Sequence, residues 1–446
     1  MMKTIKKRTR VFCVVSLAGL LAACGGGGGA DTPAPAYKIG GTISGLPDGE
    51  PVILQNSNGD TTTVSANGGF SFPATMGKGA GYAVTITRQP VWASCSLGQQ
   101  SGTVNADVSS IQLSCVAARA QVSTLAPQYA MQNPVGIVSA TDGTLYMSDA
   151  TANTIMSLSA GGSVQLWAGG YQNYTYIQPG VMGWTNKGLI NGQRLQSQFS
   201  FPVEIALDKQ GNIYVADDGN QVVRKIAVDG TVSTLAGSGA SAYQDGPASS
   251  AAFAWPHGVA VDDAGNVYVT DPGNFRIRKI GVDGMVSTVA GSGTSASQDG
   301  TGAGASFIYP KAIAIGPDGN LYVGDTSASQ VRRVTPAGVV TTLAGSGVNG
   351  FSDGNGTQAT FNGVTGVAVD QNGTVYVSDY GNNAIRRISR NGVVTTLAGG
   401  TTASTVDGIG SAATFNGPQQ LTLDAQGNLY VVESGSGAVR KISPVQ

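Results

Sequence analysis

The sequence predicts an all-β chain: a six-bladed β-propeller preceded by a small β-sandwich. Three observations carry that expectation. Phe199, Phe253, Phe307, Phe361 and Phe415 recur at a fixed step of 54 residues, and Tyr214, Tyr268, Tyr322, Tyr376 and Tyr430 keep the same step. A period of this size marks one supersecondary unit copied along the chain, each copy needing its neighbours to bury an apolar face. Every unit reads as short strands between Gly, Asp and Asn turns, with no 3.6-residue apolar period, so helix should be nearly absent. Finally, the last copy stops after three strands. Its missing fourth stands upstream of the first copy, where Val122-Ser-Thr-Leu-Ala126 repeats Val232-Ser-Thr-Leu-Ala236 letter for letter.

From the N-terminus, Lys3, Lys6, Lys7, Arg8 and Arg10 precede an apolar run, Val11 to Ala23, too short to span a bilayer. Residues 1–23 read as a signal peptide. The run closes on Leu21-Ala-Ala-Cys24, which resembles the lipobox of bacterial lipoproteins. That resemblance implies cleavage before Cys24, its acylation, and a lipid anchor in the membrane. Gly25, in place of the Asp of inner-membrane retention signals, points to the outer membrane. The expected location is therefore the bacterial cell envelope. Residues 24–36, rich in Gly and Pro, read as a flexible tether.

Residues 37–118 lack the period. Ile39-Gly-Gly-Thr-Ile43, Val52-Ile-Leu-Gln55, Tyr82-Ala-Val-Thr-Ile86 and Ile111-Gln-Leu-Ser114 read as strands of a sandwich. Cys95 and Cys115 are its only cysteines and are expected to pair in an oxidising compartment. The module is similar to Ig-like or carboxypeptidase-regulatory-like modules, which implies a spacer.

Residues 119–446 hold the propeller. In the copy that starts at Phe253, the strands are Gly258-Val-Ala-Val261, Val267-Tyr-Val-Thr270, Phe275 to Ile280 and Met285 to Ala290. Met131 to Gln198 is a divergent first copy. Strand Val122–Ala126 should complete the sixth blade and close the ring, removing exposed sheet edges. The block Asp208-Lys-Gln-Gly-Asn-Ile-Tyr-Val-Ala-Asp217, followed by Asn220 and Arg224-Lys-Ile226, resembles the NHL repeat. Copy one departs from it, with Met156-Ser157 replacing the Arg-Lys pair.

Chemistry is sparse. The chain has one histidine, His257, so no site needing two imidazoles is possible. This weighs against the zinc-dependent lyases that share the fold. His257 is expected at the channel rim without a catalytic role. The acidic column Asp149, Asp217, Asp271, Asp325, Asp379 and Glu433 reads as turn-stabilising, and the Arg pairs of the third strands as its partners. No metal site and no cofactor is expected. Without residues 1–23 the chain carries 20 basic against 26 acidic residues, a net charge of −6, which argues against nucleic acid.

Differences between copies are the better guide to function. The loop leaving copy one is the longest and holds Tyr171, Tyr174, Tyr176 and Trp184. An aromatic flap over one face is a candidate ligand site, or a packing element of blade one. The expected function is a membrane-anchored binding scaffold for an envelope protein, peptide or glycan, with Glu204 and His257 as further candidates. The alternative is a hydrolase similar to calcium-dependent lactonases and gluconolactonases. There Glu204 would be the lone ligand in sight, and Gln419 and Gln420 would be weak partners.

Overall fold

The computed structural model describes residues 34–126, 130–170 and 187–445. Within them the chain forms nine sheets, and its only helices are seven 3₁₀ turns of three residues. Six of the sheets are built from residues 119–445, one for each copy of the repeat. In copy two the strands Pro202–Leu207, Ile213–Asp217, Val222–Ile226 and Thr231–Ala236 lie in chain order from the centre outward. First strands of neighbouring sheets touch one another, and that of copy one, Pro134–Ser139, also touches that of copy six, Pro418–Leu423. These first strands line a central channel.

The strand Arg119–Ala126 pairs antiparallel with Val439–Val445, with Val122 opposite Ile442. It thereby supplies the outer strand that copy six lacks. The connections between copies do more than the sequence foretells. Each of the five lays a two-residue strand on the outer edge of the next sheet, as Gly192–Gln193, leaving copy one, does on Thr231–Ala236 of copy two. That contact covers an edge which would otherwise present unpaired N–H and C=O groups.

A belt of buried ion pairs runs through five copies. Arg224, Arg278, Arg332, Arg386 and Arg440 are all fully buried. Each meets the acid of its own copy: Asp217 at 2.9 Å, Asp271 at 2.7 Å, Asp325 at 3.6 Å, Asp379 at 2.8 Å and Glu433 at 2.6 Å. The guanidinium of Arg278 also reaches Asp245 at 2.6 Å and lies 5.1 Å from the centre of the Phe253 ring. One repeating side chain thus ties the acidic column, the Asp-Gly loop and the repeating Phe together, satisfying charges that would be costly to bury alone. The second cation of each pair plays another part. Lys225, Lys279 and Lys441 sit over Tyr214, Tyr268 and Tyr430 of their own copies.

Residues 36–117 form two four-stranded sheets and a two-stranded one. Ile39, Leu54, Phe72, Val84, Ile111 and Leu113 share one core between the two larger sheets. Cys95 and Cys115 face each other across the pair Ala93–Gly98 and Val108–Ala117 and form a disulfide. This module is seated on copy five. Glu50, buried completely, meets Arg387 at 3.0 Å. Its other oxygen accepts the N–H groups of Val91 and Trp92, and the Trp92 indole N–H donates to the Tyr376 hydroxyl at 2.8 Å.

Candidate functional site

Two ends of the channel differ. At one end the first strands begin and the second strands end, as the pairing of Pro202 with Asp217 shows. At the other end a cavity of about 460 Å³ is walled by aliphatic residues of the first strands, including Ile205, Val259, Ile313 and Leu421, with Arg88 and Val91 of the N-terminal module beside them. The titratable groups gather at the first end, here called the mouth.

The mouth is built by a pairing of copies that the 54-residue step hides. Copies one, three and five place Gly136, Gly258 and Gly366 on the first strand and Ser148, Thr270 and Ser378 on the second. A Cβ on Gly258 would stand 2.3 Å from the Lys311 carbonyl oxygen, so glycine is what lets copy four approach. The Thr270 hydroxyl donates to that same carbonyl at 2.7 Å, and the Ser148 hydroxyl likewise donates to the Val203 carbonyl. Copies two, four and six instead carry Glu204, Ala312 and Gln420, with no hydroxyl behind them (Ala216, Gly324, Val432). At this position a large side chain therefore enters only from copies two and six, as Glu204 and Gln420.

Glu204 is fully buried, and neither of its carboxylate oxygens has a hydrogen-bond partner among the described residues. Burial pushes its carboxyl well above the usual range, against the pull of Lys311 and of the Val259 and Ile313 N–H groups facing it. His257, predicted at the rim, is buried just ahead of the first strand, where its N–H donates to the Thr270 carbonyl at 3.1 Å. Its Nδ1 is without a partner, and burial together with the Lys311 charge holds its pKa well below the ordinary value. Lys311, half-buried, is pushed down by burial and drawn back up by Glu204 and Asp218. Asp218 follows the belt acid of copy two. Burial and the Asp217 charge raise its pKa to about 7, while Lys311 opposes them. Glu204, His257 and Lys311 come from three consecutive copies.

The same three copies carry an aromatic column that the sequence reading passed over: Phe201, Trp255 and Tyr309, where the other copies have Gly363, Gly417 and Asn133. Phe201 is 42% and Trp255 50% exposed. Both take left-handed backbone, with φ of 54° and 58°. The reason lies between copies. The Phe201 N–H donates to Asn153 and the Trp255 N–H to Gln221, each 2.7 Å away on the preceding copy, as the Gly417 N–H does to Asn383. Where the preceding copy offers Phe275, which accepts nothing, Tyr309 leaves the left-handed region and donates to Asp325. Four N–H groups thus staple one copy to the next, two of them from glycine. The two aromatic members hold a conformation that costs a residue with a Cβ about 1–2 kcal/mol. The staple explains the backbone but not the choice of ring.

Other predicted site residues fall elsewhere. Tyr171, Tyr174, Tyr176, Trp184 and Cys24 lie outside the described residues. Gln420 accepts the Val367 N–H at 3.0 Å and Gln419 donates to Ser434 at 3.0 Å, so both are engaged away from Glu204. Among the described residues no three His, Cys, Asp or Glu side chains converge as a metal site. The donor set beside Glu204 does not fit a calcium ion.

Residues 253–280 and 361–388 match the NHL repeat model. Over 285 residues the chain is 29% identical to Protein SUPPRESSOR OF QUENCHING 1, chloroplastic, of Arabidopsis thaliana, covering 60% of this chain and 27% of that protein. It is 27% identical over 277 residues to Teneurin-3 of Danio rerio, covering 52% and 10%. The chain thus spans about a quarter or less of these relatives. Among solved structures, a Bacteroides thetaiotaomicron protein of unknown function superposes with a TM-score of 0.56 at 17% identity, covering 93% of this chain and 99% of the other. An auxiliary nutrient binding protein from Bacteroides ovatus gives 0.53 at 15%, with the same coverage. The likeness is one of fold, an NHL-repeat β-propeller.

Proposed function

We propose that this chain is a lipid-anchored protein of the bacterial envelope whose six-bladed propeller, its ring closed by Arg119–Ala126, binds a ligand at the channel mouth. The observation that carries the reading is the arc of copies two to four. Those copies combine buried polar atoms without partners, on Glu204 and His257, with exposed aromatic rings on strained backbone, Phe201 and Trp255. Strain of that kind collects at functional sites. The nutrient-binding name of a protein with the same fold is in keeping with a binding role. The Leu21-Ala-Ala-Cys24 motif supports acylation at Cys24 and placement at the outer membrane.

Two measurements test it. Intact mass of membrane-expressed protein should show an acylated Cys24 as first residue, and a soluble product beginning upstream of Cys24 would overturn the anchor. The double variant Phe201→Gly/Trp255→Gly should lose binding on glycan and peptide arrays while unfolding at nearly the wild-type temperature. Unchanged binding would remove the mouth as the site.

A further inference from the structure

Resting on the mouth as the binding face, we infer that its ligand is an uncharged sugar. One ring face would lie on Trp255, and hydroxyl groups would be shared among Glu204, His257 and Lys311. Four observations lead there.

First, the floor lacks hydrogen-bond partners. Both Glu204 oxygens and His257 Nδ1 lack a hydrogen bond of normal geometry, in residues that are 0% and 5% exposed, with only the Val259 and Ile313 N–H groups facing the carboxyl. A buried polar atom left unpaired costs about 1–3 kcal/mol, so such a floor awaits a ligand or water able to both donate and accept. A hydroxyl does both.

Second, charged groups of both signs are present. The Glu204 and Asp218 charges both act to raise the pKa of Lys311 against the effect of burial. An anion would face two acids and a cation would face Lys311, so neither gains from entering a site of low dielectric. Third, the Trp255 ring, two residues from His257 in the same copy, is exposed and offers an apolar face. That combination suits a molecule with one C–H face and a rim of hydroxyls.

Fourth, the main chain is engaged. The Val203 and Lys311 carbonyls accept hydroxyls from the preceding copies, and the Glu204 N–H donates to the His257 carbonyl at 3.3 Å. An extended peptide recognises a sheet through free main-chain groups at an edge, and here they are occupied.

The experiment titrates the full-length chain with glucose, galactose, mannose and N-acetylglucosamine. Glucuronate, choline and a neutral tripeptide serve as comparisons, all followed by tryptophan fluorescence and calorimetry. At least one neutral sugar should bind, and Trp255→Ala should weaken it about tenfold, a change of about 1.4 kcal/mol. Glu204→Leu should weaken it comparably. Glu204→Gln, which keeps a donor and an acceptor and buries no charge, should stay within about threefold of wild type. Preference for glucuronate, choline or the peptide, lost in Trp255→Ala, overturns the sugar and leaves the mouth standing. Sugar binding equal in wild type and Trp255→Ala overturns the mouth and the sugar together. No binding by any neutral sugar at millimolar concentration overturns the sugar class.

Discussion

Arg278 and His257 belong to the same copy of the repeat and obey opposite rules. At the Arg278 position five copies carry Arg, each buried against the acid of its own copy and over the repeating Phe, with a second Asp in four copies and Asn191 in copy two. At the His257 position six copies carry Val135, Val203, His257, Lys311, Thr365 and Gln419, no two adjacent copies alike beyond the first pair. The belt sits inside each sheet, where every copy meets the same environment. The mouth lies where six copies share one space, so each position can be occupied only once. Repetition therefore reports what holds the blades together, and its failure reports where they jointly face something else. This division can be attacked from both sides.

The largest effect should come from the strand that joins the ends. Deleting Arg119–Ala126 removes Ala120, Val122 and Ala126 from the core and leaves copy six with an open edge. On burial alone the loss should be on the order of 5 kcal/mol. Chemical denaturation should show a lower midpoint with aggregation, and an unchanged transition would mean the ring holds without it. Next comes the belt. Arg278→Met should cost about 3–5 kcal/mol by leaving Asp271 buried without its cation, and adding Asp271→Asn should recover much of that. Copy one, with Met156 in this place, shows that a sheet can be built without the Arg. If the single variant unfolds like wild type, the belt is not what the repetition protects.

At the mouth the effects should be smaller and of another kind. Asp218 has its pKa raised from 3.8 to about 7, so the fold favours its protonated form. Its contribution is full below pH 4 and is lost as the pH rises toward 7. Asp218→Asn should flatten the stability profile over that window, and an unaltered profile would show that Asp218 is solvated. Smallest of all, Trp255→Gly should change stability by no more than about 1 kcal/mol. The relief of left-handed strain and the entropy cost of glycine nearly cancel there. A loss of several kcal/mol would make the ring a packing element after all.

The fold was legible because its signals are local and copied. A Phe, a Tyr and a turn recurring at one step name the sheet, and five identical letters name the strand that closes it. The partnership of the Arg pairs with the blade acids was legible in outline, since both recur together, but only the first Arg of each pair keeps it. The mouth was harder. Glu204 stood out against glycines, yet the alternation of Gly258/Thr270 with Ala312/Gly324 needs two copies as its unit and shows only when both strands face the channel. Phe201, Trp255 and Tyr309 form a plain column of letters. Their meaning depends on a backbone angle set by Asn153 and Gln221 in another copy. The seat of the N-terminal module joins Glu50 to Arg387, which no periodicity can relate.

That seat has a mechanical consequence. Only Ala118, whose N–H is held by the Trp92 carbonyl, separates the disulfide-bearing strand Val108–Ala117 from the closing strand Arg119–Ala126. A pull on the chain upstream of the module would run along this line toward the zipper with Val439–Val445. The contacts of Glu50 with Arg387 and of Trp92 with Tyr376 lie across that line, and the Cys95–Cys115 bridge keeps the module from unravelling under load. Tension is thus carried sideways into blade five before the closing strand can peel, so the module acts as a strain relief for the ring.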